Sequence, residues 1–175
     1  MDQREEQEFT DYFTARRDAV RRTAYLICGD WHRADDLAQT AFVALHRRWR
    51  KVRDRAALDA YVRRTLVRAA IDESRRPWRR EYPVDSPPES APGRSTQDAV
   101  GEAVANRSAL VDGLQQVPPR QRAVLVLRFL EGQSVTAVAS ALKCSEGTVK
   151  SQTARGLETL RAALGDTLDD LRPAG

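Results

Sequence analysis

Between Pro77 and Gly93 the chain carries Pro77, Pro83, Pro87, Pro88 and Pro92 among several serines, with no hydrophobic period. A stretch so rich in proline cannot continue a helix, lacks amide donors for a sheet ladder and buries too little apolar surface to offset the entropy of ordering it. It reads as a linker. The 175 residues are therefore expected to fold as two small domains, residues 1–80 and 108–175, joined by flexible chain over 81–107. Each is long enough for a modest core.

On the N-terminal side Phe9, Phe13, Val20, Ala24 and Ile27 recur at helical spacing until Cys28, Gly29 and Asp30 interrupt the pattern. A second helix is predicted from about Ala34 to Trp49, with Leu37, Ala41, Ala44 and Leu45 inward. A third runs from about Leu58 to Arg76, with Leu58, Val62, Leu66 and Ala69 inward. Beyond the linker, "ALVDGLQQV" is a short helix, Pro118 and Pro119 open another where a missing amide donor costs least, and "RQRAVLVLRFLEG" stops at Gly132. Ser134 caps "VTAVASAL", and a turn at about Lys143 to Glu146 leads to a last helix capped by Ser145. That punctuation is helix-turn-helix. No segment alternates with period two for long enough to propose a strand, so the fold class is all-α, two helical domains joined by a proline-rich linker.

Charge is unevenly placed. The formal net charge is +4, yet residues 31–80 hold fourteen Lys or Arg against six Asp or Glu, a local excess of +8. Such a block suits a phosphate backbone, an acidic membrane surface or simply solvent. With only Cys28 and Cys144, no disulfide framework or zinc-ribbon spacing can be written, and Gly29 and Asp30 break the Cys28/His32 pair as a helical metal site. The start "MDQREEQEF" has no apolar signal core, and no run reaches the length of a membrane span, so a cytoplasmic protein without membrane insertion is expected. Neither a phosphate loop nor a nucleophile with its base is visible; no enzyme activity, cofactor or metal is assigned.

Three surfaces carry the functional reading. On the last helix Thr148, Ser151 and Arg155 fall opposite Val149, Gly156 and Leu160, with Lys150 and Gln152 flanking them and Ser145 at the cap. Short hydroxyls with a few long polar side chains let a helix approach base edges in a major groove. On the second helix Asp35, Asp36, Gln39, Phe42 and Val43 form a stripe offset from the core, mixing carboxylates and an amide with Phe42 as an exposed apolar anchor. This suits a basic helical partner; the other reading of Phe42 is plain core. On the third, Arg64, Arg68 and Arg75 align, with Arg63, Arg76, Arg79 and Arg80 around Trp78. Arginines along a track neutralise phosphates and an aromatic face stacks bases. Asp72 can instead pair with Arg68 or Arg75 on its own helix.

"GQSVTAVASALKCSEGTVKSQTARGLETLRAAL" resembles region four of bacterial sigma factors, and "RADDLAQTAFVALHRRW" resembles their region two. The pair, with no further domain between, is similar to the compact extracytoplasmic-function (ECF) group in its SigE-like actinobacterial branch. The resemblance implies core RNA polymerase as partner, its β′ coiled coil on the Asp35–Val43 stripe and its β flap elsewhere, with promoter DNA as ligand. It further implies that the third helix melts and reads the −10 element, that the loop from about Lys51 to Asp59 holds an extruded base, and that the last helix reads the −35 element. An anti-sigma factor is a further partner that it admits. Thr40 stands where an acidic residue is usual and Arg68 where many relatives have Asn. Two other readings remain: a stand-alone regulator of the LuxR type, and an anti-sigma-like interaction protein.

Overall fold

The computed structural model describes residues 1–75 and 98–165, the second stretch with side chains from residue 107 onward. Arg76, Trp78, Arg79 and Arg80 lie outside the described residues. The elements are α1 (Gln3–Cys28), α2 (Trp31–Arg48), α3 (Leu58–Ser74), α4 (Asp98–Gln116), α5 (Pro119–Leu125), α6 (Val135–Leu142) and α7 (Glu146–Leu164). Among the described residues there is no strand.

Helix α1 begins a turn and a half before the expected Phe9, because Asp2 and Glu5 form a capping box: Asp2 accepts from the Glu5 amide, and the Glu5 carboxylate accepts from the Asp2 amide at 3.0 Å. It ends at Gly29, whose φ of 75° is the left-handed conformation that glycine adopts without a Cβ clash. Asp30 then caps α2 by accepting from the Arg33 amide at 3.0 Å. Two residues thus reverse the chain, and α1 packs antiparallel on α2, with α3 closing the bundle.

Helix α4 opens at Asp98, so residues 98–107, expected as linker, are helical. The proline cluster ends at Pro92, and Ala99, Glu102, Ala103 and Ala105 beyond it are strong helix formers. Pro119 stands at the first position of α5. The expected run to Gly132 is interrupted: over Val126–Leu130 the ladder widens to π-type bonds, the Glu131 amide donating to the Val126 carbonyl at 2.9 Å. That extra residue per turn rotates Phe129 and Leu130 to the outside, where they are 56% and 46% exposed. Ser134 caps α6 and Ser145 caps α7 as expected, and Lys143 makes the turn between them at φ 53°.

The two halves share one continuous core. Ala24, Ile27, Leu66 and Val67 from the first half join Leu114, Val124, Leu127 and Val138 from the second in a single apolar cluster. Helix α3 lies on α5 and α6, and α1 on α4 and α5. Gly29 is itself covered: a Cβ there would sit 2.7 Å from Cδ of Gln115.

Candidate polymerase and nucleic-acid interfaces

The Asp35–Val43 stripe borders a groove of about 710 Å³ between α1 and α2, whose lining adds Phe9, Phe13, Arg17, Arg21 and His46 to Asp35, Gln39, Phe42 and Val43. Phe42 is not the exposed anchor expected of it. It is 4% exposed and packs edge-on to Phe13, with ring centroids 4.9 Å apart, and against Tyr12 at 6.4 Å. A phenyl ring one turn from Ala38 is drawn inward because α1 presents aromatic partners to it. The exposed apolar group is Val43, at 42%. Asp36 and Gln39 stand exposed beside it, whereas Asp35 is already paired with the Arg21 guanidinium. Arg21 also lies over the Trp31 ring at 4.3 Å, and Trp31 stacks on Tyr25 at 3.8 Å. The wall formed by Phe9, Phe13 and His46 was missed at the sequence level, since Phe9 and Phe13 at i, i+4 read only as core. They are half-buried: Phe9 packs on His46 at 4.9 Å and leaves part of its ring to the groove.

On α3 the arginine stripe divides. Arg64 lies by the Tyr61 ring at 5.5 Å and Arg75 is exposed at the C-cap. Arg63 and Arg68 are half-buried and turn to the other half of the chain: Nε of Arg63 is 3.7 Å from the Glu131 carboxylate, and Nε of Arg68 donates to the Ala141 carbonyl at 3.1 Å. Among the described residues no ion pair joins Asp72 to Arg68 or Arg75; Arg68 has found a helix C-terminus instead. The loop before α3 encloses a concavity of about 370 Å³ against α1, lined by Glu8, Tyr12, Arg16, Trp49, Arg55 and Asp59 among others. Its walls are tied together: Arg55 lies over the Trp49 ring at 4.4 Å, the Tyr12 hydroxyl donates to Asp59 at 2.8 Å, and Arg16 pairs with Asp59 at 2.8 Å. Burial and the Asp59 carboxylate both push the Tyr12 hydroxyl well above its usual pKa, so it remains a donor.

Helix α7 presents the expected surface with one change. Val149, Gly156 and Leu160 are buried, and Lys150, Ser151 and Arg155 are exposed. Gly156 faces α5 so closely that a Cβ would meet Leu125 at 3.1 Å. Ser145 and Thr148 share a hydroxyl contact of 2.9 Å at the cap, and Thr136 of α6 donates to Glu146 at 2.7 Å, which holds the two helices at a set angle. Gln152 departs from the expectation. It is half-buried and its Oε1 is enclosed without a hydrogen-bond partner, so the amide points inward rather than along the outer stripe. At 100° per residue it stands at the edge of the face, and packing tips it in.

Residues 12–80 match the family model for Sigma-70 region 2, and residues 107–160 match that for Sigma-70, region 4. The chain is 38% identical to the RNA polymerase sigma-E factor of Streptomyces avermitilis over 90% of this chain and 85% of that protein. It is 31% identical to the ECF RNA polymerase sigma factor SigM of Mycobacterium tuberculosis, over 90% of this chain and 77% of that one. Its fold is similar to that of the sigma factor RpoE solved in complex with the anti-sigma factor NepR from Bartonella quintana, with a TM-score of 0.70 over 91% of this chain and 98% of that one, at 18% identity. With both regions present in one chain, in this order and over nearly its full length, the chain belongs to the extracytoplasmic-function RNA polymerase sigma factors.

Proposed function

We propose that this sigma factor docks on the β′ coiled coil of core RNA polymerase through the α1–α2 groove, holds the melted −10 element along α3, and reads the −35 element with α7. The observation that carries this reading is the segregation of α7, with Lys150, Ser151 and Arg155 exposed on one face and Val149, Gly156 and Leu160 fully engaged on the other. A helix so held by its neighbours presents a fixed set of polar groups at groove depth. In the docking groove Val43 supplies the apolar contact, while Asp36 and Gln39 fix register on a basic partner. Arg64 and Arg75 offer phosphate contacts on α3, and the concavity beside Trp49 has room for an unstacked base. Among the described residues of the C-terminal half, Phe129 and Leu130 are large apolar side chains left exposed, and we assign them to the β flap. The chain performs no chemistry of its own; the polymerase does. An anti-sigma partner is part of the proposal, supported by the NepR complex of the similarly folded RpoE. The work is assigned to the cytoplasm, and among the described residues no helix is long and apolar enough to cross a membrane. The test is transcription by purified core polymerase with and without this chain, beside a gel shift of promoter DNA: shift and transcript are expected only when both proteins are present.

A further inference from the structure

We propose that the cavity between α3 and α6 is an oxyanion site that takes the terminal phosphate of a small phosphomonoester. The cavity measures about 130 Å³ and is lined by Arg63 and Arg64 of α3, by Gln133, and by Ala137, Val138 and Ser140 of α6 among others. At about 30 Å³ per water molecule it has room for about four waters, space enough for a phosphate group and the start of its ester chain. Small side chains on α6 make that room: Ala137 and Ser140 stand where a longer residue would fill it.

Its charge is one-sided. Two guanidinium groups line the cavity, and among the described residues no carboxylate does. Nε of Arg63 is enclosed without a hydrogen-bond partner, an unmade bond that folded proteins rarely tolerate in a cation. The Glu131 carboxylate, 3.7 Å from that nitrogen, accepts from the Thr23 hydroxyl and lines a separate, smaller cavity of about 80 Å³ toward α1. Arg64 is half-buried beside the Tyr61 ring at 5.5 Å, and among the described residues no carboxylate pairs with it. Neutral donors complete the set. Gln133 uses one amide proton on the Glu131 carbonyl at 3.1 Å and keeps the other, and Ser140 is exposed, so its hydroxyl stands at the mouth. A phosphomonoester carries close to two negative charges and three terminal oxygens at neutral pH. Those oxygens suit two guanidinium groups, an amide and a hydroxyl. A backbone phosphodiester carries one charge and continues as chain on both sides, whereas buried Leu127 and Val138 close the inner end of the cavity. The shape therefore favours a terminal phosphate over a nucleic-acid strand.

The test titrates the full chain by isothermal calorimetry with methyl phosphate, a monoester, and with dimethyl phosphate, which carries the chemistry of a DNA backbone. Ionic strength is held fixed and the ligands stay in the low millimolar range, because concentrated phosphate strengthens any fold by exclusion from its surface. Arg64→Gln removes one guanidinium, and Ala137→Leu fills the cavity without changing charge. Arg22→Gln, at an exposed arginine of α1 that does not line the cavity, controls for net charge alone. Methyl phosphate is expected to bind the wild-type chain and the Arg22→Gln control alike, at one site. Arg64→Gln and Ala137→Leu are each expected to weaken it about tenfold or more, as is a second methyl group on the ligand. Absence of saturable binding to the wild-type chain overturns the proposal. Equal affinity in wild type, Arg64→Gln and Ala137→Leu overturns it as well, since the anion is then an adventitious ion only. Dimethyl phosphate binding as tightly as methyl phosphate overturns the monoester assignment in favour of a nucleic-acid backbone. Should Ala137→Leu lose its helical circular dichroism, Arg64→Gln decides alone: wild-type affinity for methyl phosphate in that variant overturns the site.

Discussion

Phe42 and Val43 are neighbours in sequence with opposite duties. The Phe42 ring fills space against Phe13 and Tyr12, so Phe42→Ala is expected to lower folding stability by about 3 to 5 kcal/mol, read by urea denaturation. Val43 touches the groove from outside, so Val43→Asp should leave stability within about 0.5 kcal/mol and weaken core-polymerase binding in a pull-down by about 1 to 2 kcal/mol. Equal losses of stability in the two variants would return Val43 to the core. Arg122 shows a different economy at this scale. Burial, with the neighbouring Arg33 charge as a second cause, pushes its guanidinium down to about 10, and it remains a cation at neutral pH because helix carbonyls surround it. Arg122→Ala strands several buried carbonyls and is expected to cost about 3 kcal/mol or more, whereas Lys, with one mobile head in place of a planar fork, should recover only part of it.

At the scale of elements, the helix-turn-helix is set by its caps and by one close approach. Lys143 occupies a left-handed conformation that glycine adopts more readily, so Lys143→Gly is expected to raise stability by about 1 kcal/mol without altering DNA reading. Gly156→Val should push α7 off Leu125 and cost about 1 to 3 kcal/mol, with promoter reading lost as the helix angle changes. These features separate what was legible in the sequence from what was not. The phase of α7 was legible because Val149, Gly156 and Leu160 repeat at helical spacing after a recognisable serine cap, Ser145. The inward turn of Gln152 was not, since a residue at the edge of a face is placed by its neighbours and not by period. The π-type turn at Val126–Leu130 leaves no mark in composition, so the exposure of Phe129 and Leu130 could not be read from it. The early start of α1 was written in Asp2 and Glu5, but the hydrophobic period that begins at Phe9 outweighed it.

At the scale of the molecule, the division into two helical halves was legible from the prolines, and their packing was not. The surfaces that meet use backbone carbonyls at Ile27 and Ala141, which every sequence has, and arginines on α3 whose chemistry points equally well to DNA. Phe42 shows the same ambiguity within one helix, since an apolar side chain beside a polar stripe becomes anchor or floor according to what the next helix presents. The central claim is that one chain supplies polymerase with both a dock and a promoter reader. It is tested most directly by run-off transcription with purified core polymerase over single-base −35 variants of a promoter that the wild-type chain serves, comparing wild type with Arg155→Ala and measuring core binding of both. The account expects Arg155→Ala to lose transcription by an amount equivalent to about 1 to 3 kcal/mol, with core binding unchanged. A base contact would also relax preference at one position, and a phosphate contact would weaken all variants alike. Wild-type activity of Arg155→Ala on every variant, or loss of its core binding, would contradict the account.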